Sequence, residues 1–337
     1  MFSFAIGAGT KDSAGNWLEV FYPNPLLNPD AEMLAPVLDA LQYPGGNQAI
    51  EISAEQTASL AQTCSGDMGQ LFAQLQDSRK TQVVVILESD DKPSSVPEGY
   101  LKLHLLSHRL VKPHGLNLEG LFAVLPNVVW TNQGAIAIDE LADRQLQARL
   151  AGDTLDIQSI DKFPKMTNYV VPKGVRIADT SRVRLGAYVG EGTTIMHEGF
   201  VNFNAGTAGT AMIEGRISAG VFIGNNSDLG GGCSIMGTLS GGGTEVISVG
   251  EDCLIGANAG LGFPLGDRCT IESGLYVSAG SKVTVMDSDL NPVQVVKARE
   301  LSHKSDLLFI RNSQTGILEC RTNKSKVQLN AELHSHN

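Results

Sequence analysis

The chain has 337 residues, with 25 Lys plus Arg against 36 Asp plus Glu and a formal charge of −11. That length suits two domains or one large domain with an appendage, and the acidic balance argues against a nucleic-acid groove or an anionic membrane surface as the main partner. No stretch approaches the ~18 uninterrupted apolar residues of a membrane-crossing helix, and five cysteines without a C-x-x-C spacing read as reduced thiols, so the chain reads as soluble and cytoplasmic.

The opening run, Phe4 to Lys11, carries a G-x-G at Gly7 and Gly9. A lone G-x-G is weak, and no acidic residue at the expected distance follows a second strand, so the run reads as an ordinary turn rather than a phosphate loop. Residues 1–150 read as mixed α/β. Ala54–Gln76 has helical character, and the β-branched run Thr81–Ser89 predicts a buried strand. Val124–Trp130 and Ala135–Ile138 are further strand candidates, broken by Asn132-Gln133-Gly134. Ala142–Leu150 predicts a short helix, and Asp153–Asp161 reads as a connector.

At Lys165 the composition changes. From there to Val285 glycine supplies 24 of 121 residues, against 13 of the other 216. The segment also has a period of six. Stepping from Val171 gives Ile177, Val183, Val189, Ile195, Val201, Thr207 and Ile213. After a shift of four come Ile217, Ile223, Leu229 and Ile235, and beyond a glycine-rich insert, Gly237–Glu245, come Val249, Ile255 and Leu261. A second shift of four leads to Leu265, Ile271, Val277 and Val283. Thr207 is the one position of the series that is not aliphatic. Neither a helical nor a two-residue strand period produces this pattern. It predicts a triangular coil whose sides are short strands, each pointing one aliphatic inward, so that residues eighteen apart stack in a parallel ladder. The insert predicts a loop leaving the body, available to line a site or cross to a neighbouring subunit. After Val283 the repeat stops. Lys297–Glu300 starts a C-terminal segment with strand-like Leu307–Arg311 and Gly316–Arg321, and a polar tail follows Asn323.

Only one histidine, His197, falls between residues 165 and 290, which argues against a zinc enzyme built on this scaffold. The densest polar constellation is Met196 to Gly206, where His197 and Glu198 follow the stacked Ile195, and Asn202 and Asn204 alternate with Val201 and Phe203. Glu198 is a candidate general base. Arg182, Arg184 and Arg216 are the nearest cations by coil stacking. Arg184 and Asn202, eighteen apart, fall on adjacent turns of one side, and arginine suits carboxylate recognition.

The hexapeptide repeats resemble the acyltransferases built on a left-handed parallel β-helix. The runs Asp161–Lys165, Val175–Asp179, Met196–Thr207, Glu214–Gly220, Ser234–Gly243 and Val296–Ser302 resemble, more narrowly, the tetrahydropyridine-dicarboxylate N-succinyltransferases in their longer form. The resemblance implies a mainly β chain: an α/β N-terminal domain over 1–160, a left-handed β-helix over 161–290 and a C-terminal segment over 291–337. It implies succinyl transfer from succinyl-CoA to the amino group of L-2-amino-6-oxopimelate, a step of lysine and diaminopimelate synthesis. It carries the family's glutamate, as base or acyl acceptor, onto Glu198. Arg184, Asn202 and Arg216 would then serve the acceptor. Gly215, Ser218, Gly241, Gly256 and Ala257 would line the succinyl-CoA groove, with Lys297 near the cofactor phosphates. It further implies a homotrimer with sites between subunits, and a magnesium ion in some members, for which no ligands are assigned here. The competing readings are an acetyltransferase on another amine or hydroxyl, a non-catalytic solenoid scaffold and a bifunctional sugar-nucleotide enzyme.

Overall fold

The computed structural model describes residues 1–237 and 245–323. They form two compact units. The first comprises Met1–Leu110, Gly115–Pro164 and Asn168–Val170, and the second comprises Val111–His114, Lys165–Thr167 and the chain from Val171 onward.

In the first unit β1 (Ser3–Lys11) is the centre of an antiparallel sheet. It pairs with β2 (Trp17–Phe21), with the short β3 (Leu26–Leu27) and, on its other edge, with β5 (Thr81–Leu87), which in turn pairs with β4 (Gln48–Ile52). The predicted turn at Gly7–Lys11 is therefore a strand. The glycines serve close approach instead: a Cβ on Gly7 would run into the Phe21 carbonyl oxygen and lie 2.6 Å from the Tyr22 ring. The apolar run of β5 is buried from Gln82 to Leu87, as its β-branched composition requires.

The predicted helix over 54–76 is two helices, α2 (Ala54–Thr63) and α3 (Gly66–Leu75), separated by Cys64 and Ser65 in extended conformation. Ser53 and Gln56 close a capping box at the start of α2. Together with α1 (Ala31–Ala40), they cover a core of Phe4, Ile6, Leu34, Leu60, Phe72, Val84 and Ile86. Helix α4 (Val96–Ser107) is buried from Pro97 to Ser107. Its Lys102 lies fully inside the fold, held by Asp90 Oδ1 at 2.5 Å and by the carbonyls of Asp91 and Asn117. The predicted strand from Val124 begins only after the single-turn α5 (Leu121–Val124), and the two strand candidates, β6 (Val128–Thr131) and β7 (Gly134–Ala137), pair as a hairpin. Helix α6 (Leu141–Leu150) follows. The segment predicted as a connector contains β8 (Ile157–Asp161), which pairs antiparallel with β6. Its alternation is weak because three of its five residues face solvent.

The second unit is the predicted coil. Among the described residues, short strands fall into three parallel ladders that the chain visits in rotation. One stacks Tyr188–Val189, Gly206–Thr207, Phe222–Ile223 and Ser248–Val249. A second runs from Arg176–Ile177 through Thr193–Ile195, Ala211–Ile213, Ser227–Leu229 and Leu254–Ile255 to Thr270–Ile271. The third stacks Phe200–Val201, Arg216–Ile217, Ser234–Ile235, Gly260–Gly262 and Tyr276–Ser278.

Register follows the six-residue series. Val183 pairs with Val201, Ile195 with Ile213 and Ile217 with Ile235, each eighteen apart. Where the series shifts by four, the pairing distance falls to sixteen, as in Ile213 with Leu229. Across the insert, whose residues 238–244 lie outside the described ones, it rises to twenty-six, as in Ile235 with Leu261. Every position of the series from Val183 to Val283 is at most 2% exposed. Val171, counted as its first member, is 69% exposed, because the ladders begin only at Arg176–Ile177. At the far end Lys282–Met286 and Pro292–Lys297 form a hairpin, and Leu307–Arg311 extends the second ladder from Thr270–Ile271.

Candidate active site

The corner between the second and third ladders collects the polar residues singled out in the sequence. In the coil starting at Thr193 this corner is Met196–Gly199. It turns through a bond from the Gly199 N–H to the Met196 carbonyl, 2.9 Å, and enters the third ladder where the Phe200 N–H donates to the Gly215 carbonyl, 3.0 Å. His197 and Glu198 occupy the tip, with side chains 76% and 64% exposed, and His197 Nε2 lies 3.4 Å from Glu198 Oε1. The carboxylate therefore stands on the rim of the coil, accessible and paired with an imidazole.

The same corner recurs in successive coils. Gly215 occupies it one coil beyond Glu198, and Gly256 and Ala257 three coils beyond. At ~4.8 Å per parallel strand, Glu198 and Gly256 lie about 14 Å apart along one edge. The glycines are needed for the stacking itself. A Cβ on Gly215 would fall on Cys233 Sγ and lie 2.8 Å from the Cys233 carbonyl oxygen, and one on Gly256 would lie 2.7 Å from Ser273 Cα. The glycines at this edge therefore let one coil pack directly on the next, with Gly215 buried and Gly256 partly exposed.

The third ladder presents two outward rows beside this edge. Phe200, Arg216, Ser234 and Tyr276 form one, and Asn202, Ser218, Met236 and Ser278 the other. Arg184 crosses one coil to donate from Nη1 to Asn202 Oδ1 at 3.0 Å, and its guanidinium lies 5.8 Å from the centre of the Phe200 ring. Arg216 is exposed on the next strand, close enough to act electrostatically on the Cys233 thiol, which burial pushes up to about 12. Arg182 is committed differently. Its Nε and Nη2 donate to the carbonyls of Gly199 and Glu198, at 3.0 and 3.1 Å.

The structure thus brings Glu198, Arg184, Asn202, Arg216, Gly215 and Ser218 to one edge and its adjoining face, with Gly256 and Ala257 farther along. Lys297 is not among them. It ends the hairpin past the last coil, opposite Lys282, where its N–H donates to Glu300 Oε1 at 2.9 Å. Gly241 lies outside the described residues. Sequence reasoning missed Asp179. It caps the turn Thr180–Arg182 through Ser181, and hydrogen bonds from Ser181, with Arg182 and His197 nearby, hold its carboxyl below the usual range. The same eighteen-residue stacking that linked Arg184 to Asn202 sets this turn beneath the Glu198 corner.

The chain matches three family models: the tetrahydrodipicolinate N-succinyltransferase N-terminal region over residues 55–123, the middle region of the same family over 125–165, and the hexapeptide repeat of succinyl-transferase over 246–279. A 2,3,4,5-tetrahydropyridine-2,6-dicarboxylate N-succinyltransferase from Pseudomonas putida is 63% identical across all of this chain and 99% of its own length. The chain belongs to the tetrahydrodipicolinate N-succinyltransferase family. A member of the same name from Vibrio cholerae is 59% identical, again over the whole chain and 99% of that protein. A crystal structure from Campylobacter jejuni, described as a candidate 2,3,4,5-tetrahydropyridine-2-carboxylate N-succinyltransferase, superposes with a TM-score of 0.88 at 31% identity, covering 96% of this chain and 92% of that one. The tetrahydrodipicolinate N-succinyltransferase likeness therefore extends well beyond the repeat, into the α/β unit.

Proposed function

We propose that the protein transfers a succinyl group from succinyl-CoA to the amino group of L-2-amino-6-oxopimelate, the open form of tetrahydrodipicolinate, in lysine and diaminopimelate synthesis. The observation that carries this reading is the full-length likeness to relatives bearing that name. The coil is left-handed, as in the hexapeptide acyltransferases the sequence resembles. The working organisation is an α/β N-terminal domain over 1–160, the β-helix over 161–290 and a C-terminal segment over 291–337. Among the described residues no helix is long and apolar enough to cross a membrane, which is compatible with a cytoplasmic enzyme.

Chemically, the amine nitrogen attacks the thioester carbonyl carbon and its proton passes to a Glu198 oxygen. The C–S bond then breaks, an amide is left, and the coenzyme A thiolate takes up a proton. In the covalent variant the Glu198 carboxylate attacks first, expelling the thiolate and forming an acyl anhydride that the amine opens. In either route the oxyanion needs an N–H donor, and glycine-rich corners present backbone without side-chain obstruction. Arg184, held against Asn202, and Arg216 on the neighbouring strand supply cations for the acceptor's carboxylates on an otherwise acidic protein. Gly215, Ser218, Gly256 and Ala257 mark the edge along which succinyl-CoA lies.

Glu198 is exposed on its own chain. This supports a homotrimer in which a neighbouring helix walls the site and supplies the desolvation that a working base requires. Among the described residues no group of three or more His, Cys, Asp or Glu side chains is placed to hold a metal ion.

The test is release of the coenzyme A thiol from succinyl-CoA with 2-aminopimelate as a stable acceptor, for wild type and Glu198→Ala. Release with succinyl-CoA but not acetyl-CoA, lost in the variant, is expected. Preference for acetyl-CoA, or no release with either, sinks the reaction; unchanged release in the variant sinks the role of Glu198.

A further inference from the structure

We propose that Arg182 is a positioning residue for Glu198, clamping the backbone of the corner that carries the carboxylate. Arg182 ends the single turn Thr180–Arg182, which Asp179 caps by accepting from the Ser181 N–H at 2.9 Å and the Ser181 hydroxyl at 2.6 Å. From this anchored base the half-buried side chain extends one coil along the axis. Its Nε–H donates to the Gly199 carbonyl at 3.0 Å, and its Nη2 to the Glu198 carbonyl at 3.1 Å. Two consecutive peptide carbonyls are thus gripped by the two adjacent donors of one planar fork, a grip the single ammonium of lysine cannot reproduce.

The other sides of the corner are fixed by backbone. The Gly199 N–H is tied to Met196, and the Phe200 N–H to Gly215. Gly199 has no room to shift inward, since a Cβ there would lie 2.8 Å from Ile195 Cγ2 and 3.1 Å from the Met196 carbonyl. The Glu198 and Gly199 carbonyls, by contrast, point back toward the preceding coil, and Arg182 is what meets them. Glu198 has an exposed side chain that lies 3.4 Å from the still more exposed His197. Its placement therefore depends on the backbone beneath it rather than on packing around it. Small displacements of a reacting group cost rate steeply. The fork that grips the corner is also withdrawn from substrate recognition, which leaves Arg184 and Arg216 as the cations facing the acceptor.

The inference rests on Glu198 being the group that takes the proton or the acyl group. Arg182→Met and Arg182→Lys are assayed beside Glu198→Ala, with kcat and both KM values measured separately. Arg182→Met is expected to lose kcat by about tenfold or more with both KM values within about twofold of wild type. Arg182→Lys, which reaches one carbonyl, is expected to recover part of that loss with the same KM values. Should the Met variant fail to fold, the Lys variant alone must still show lowered kcat at unchanged KM. Unchanged kcat in either variant, equal loss in both, or a raised acceptor KM with kcat retained overturns the clamp. Full activity in Glu198→Ala overturns the underlying role of Glu198. Loss there with full kcat in Arg182→Met overturns the clamp alone.

Discussion

Arg184 and Asn202 are eighteen residues apart in sequence and one coil apart in space, joined by a 3.0 Å hydrogen bond from Nη1 to Oδ1. The same amide oxygen accepts from the Phe203 N–H at 2.9 Å, so Asn202 fixes both the guanidinium and its own strand exit. Arg184 is thereby pre-oriented over the Phe200 ring on the face next to Glu198.

Replacing Asn202 with Leu removes that orientation while keeping the branched shape of the side chain. A hydrogen bond to a charged group contributes about 1.5–3 kcal/mol, so the acceptor KM is expected to rise about tenfold or more. Steady-state kinetics with varied 2-aminopimelate checks this, with kcat and the succinyl-CoA KM as controls. An unchanged acceptor KM would mean that the pair only braces the coil.

Gly215 carries a different expectation, one of stability. A methyl group there meets Cys233 Sγ and the Cys233 carbonyl oxygen of the next coil. Gly215→Ala is expected to lower unfolding stability by about 1–3 kcal/mol through overpacking. Adding Cys233→Ala clears the sulfur and leaves the carbonyl at 2.8 Å, so the double variant should recover part of the loss. Urea unfolding of the two single variants and the double variant measures the coupling, and strictly additive losses would show that the contact is relieved by backbone movement.

The β-helix was legible because its burial rule is strict. One inward position per side leaves a six-residue mark that Val183 through Val283 obey, and the single exception has a local cause. Thr207 is buried with its hydroxyl 2.7 Å from the Thr193 hydroxyl and accepts from the Gly190 N–H at 3.1 Å, so a polar residue is satisfied inside an apolar ladder. Stacking arithmetic also placed Arg184 against Asn202. It could not say where Arg182 points, because an outward side chain on such a coil can reach solvent, substrate or the backbone above it with the same spacing. In the α/β unit no such rule operates. The glycines of β1 read as a turn because their role, close approach of β2, appears only once the two strands are paired. Strand β8 read as a connector because little of it is buried.

The last prediction concerns pH and the buried imidazole of the α/β unit. His104 is fully buried in α4. Its Nε2 lies 3.2 Å from the Tyr22 backbone nitrogen, an N–H that it accepts, and its Nδ1 lies 2.8 Å from the Tyr100 carbonyl, to which it donates. That pattern requires the neutral ring, since a proton on Nε2 would face another donor. Burial, opposed only in part by the Tyr100 carbonyl, lowers its pKa to about 3. His108, 6.1 Å away and nearly parallel, is lowered in the same direction by burial. In the unfolded chain the imidazole takes a proton near pH 6.5, so between there and about pH 3 the unfolded state binds the extra proton. The His104 contribution to stability is therefore fully present above pH 6.5 and is lost as pH falls, at a limiting slope of about 1.4 kcal/mol per unit. Glutamine can offer the same acceptor and donor without titrating. Denaturant unfolding of wild type and His104→Gln from pH 7 to 4 should give curves that converge as the pH falls, the wild type losing stability faster. Parallel curves would show that His104 is not the group that couples folding to protons here.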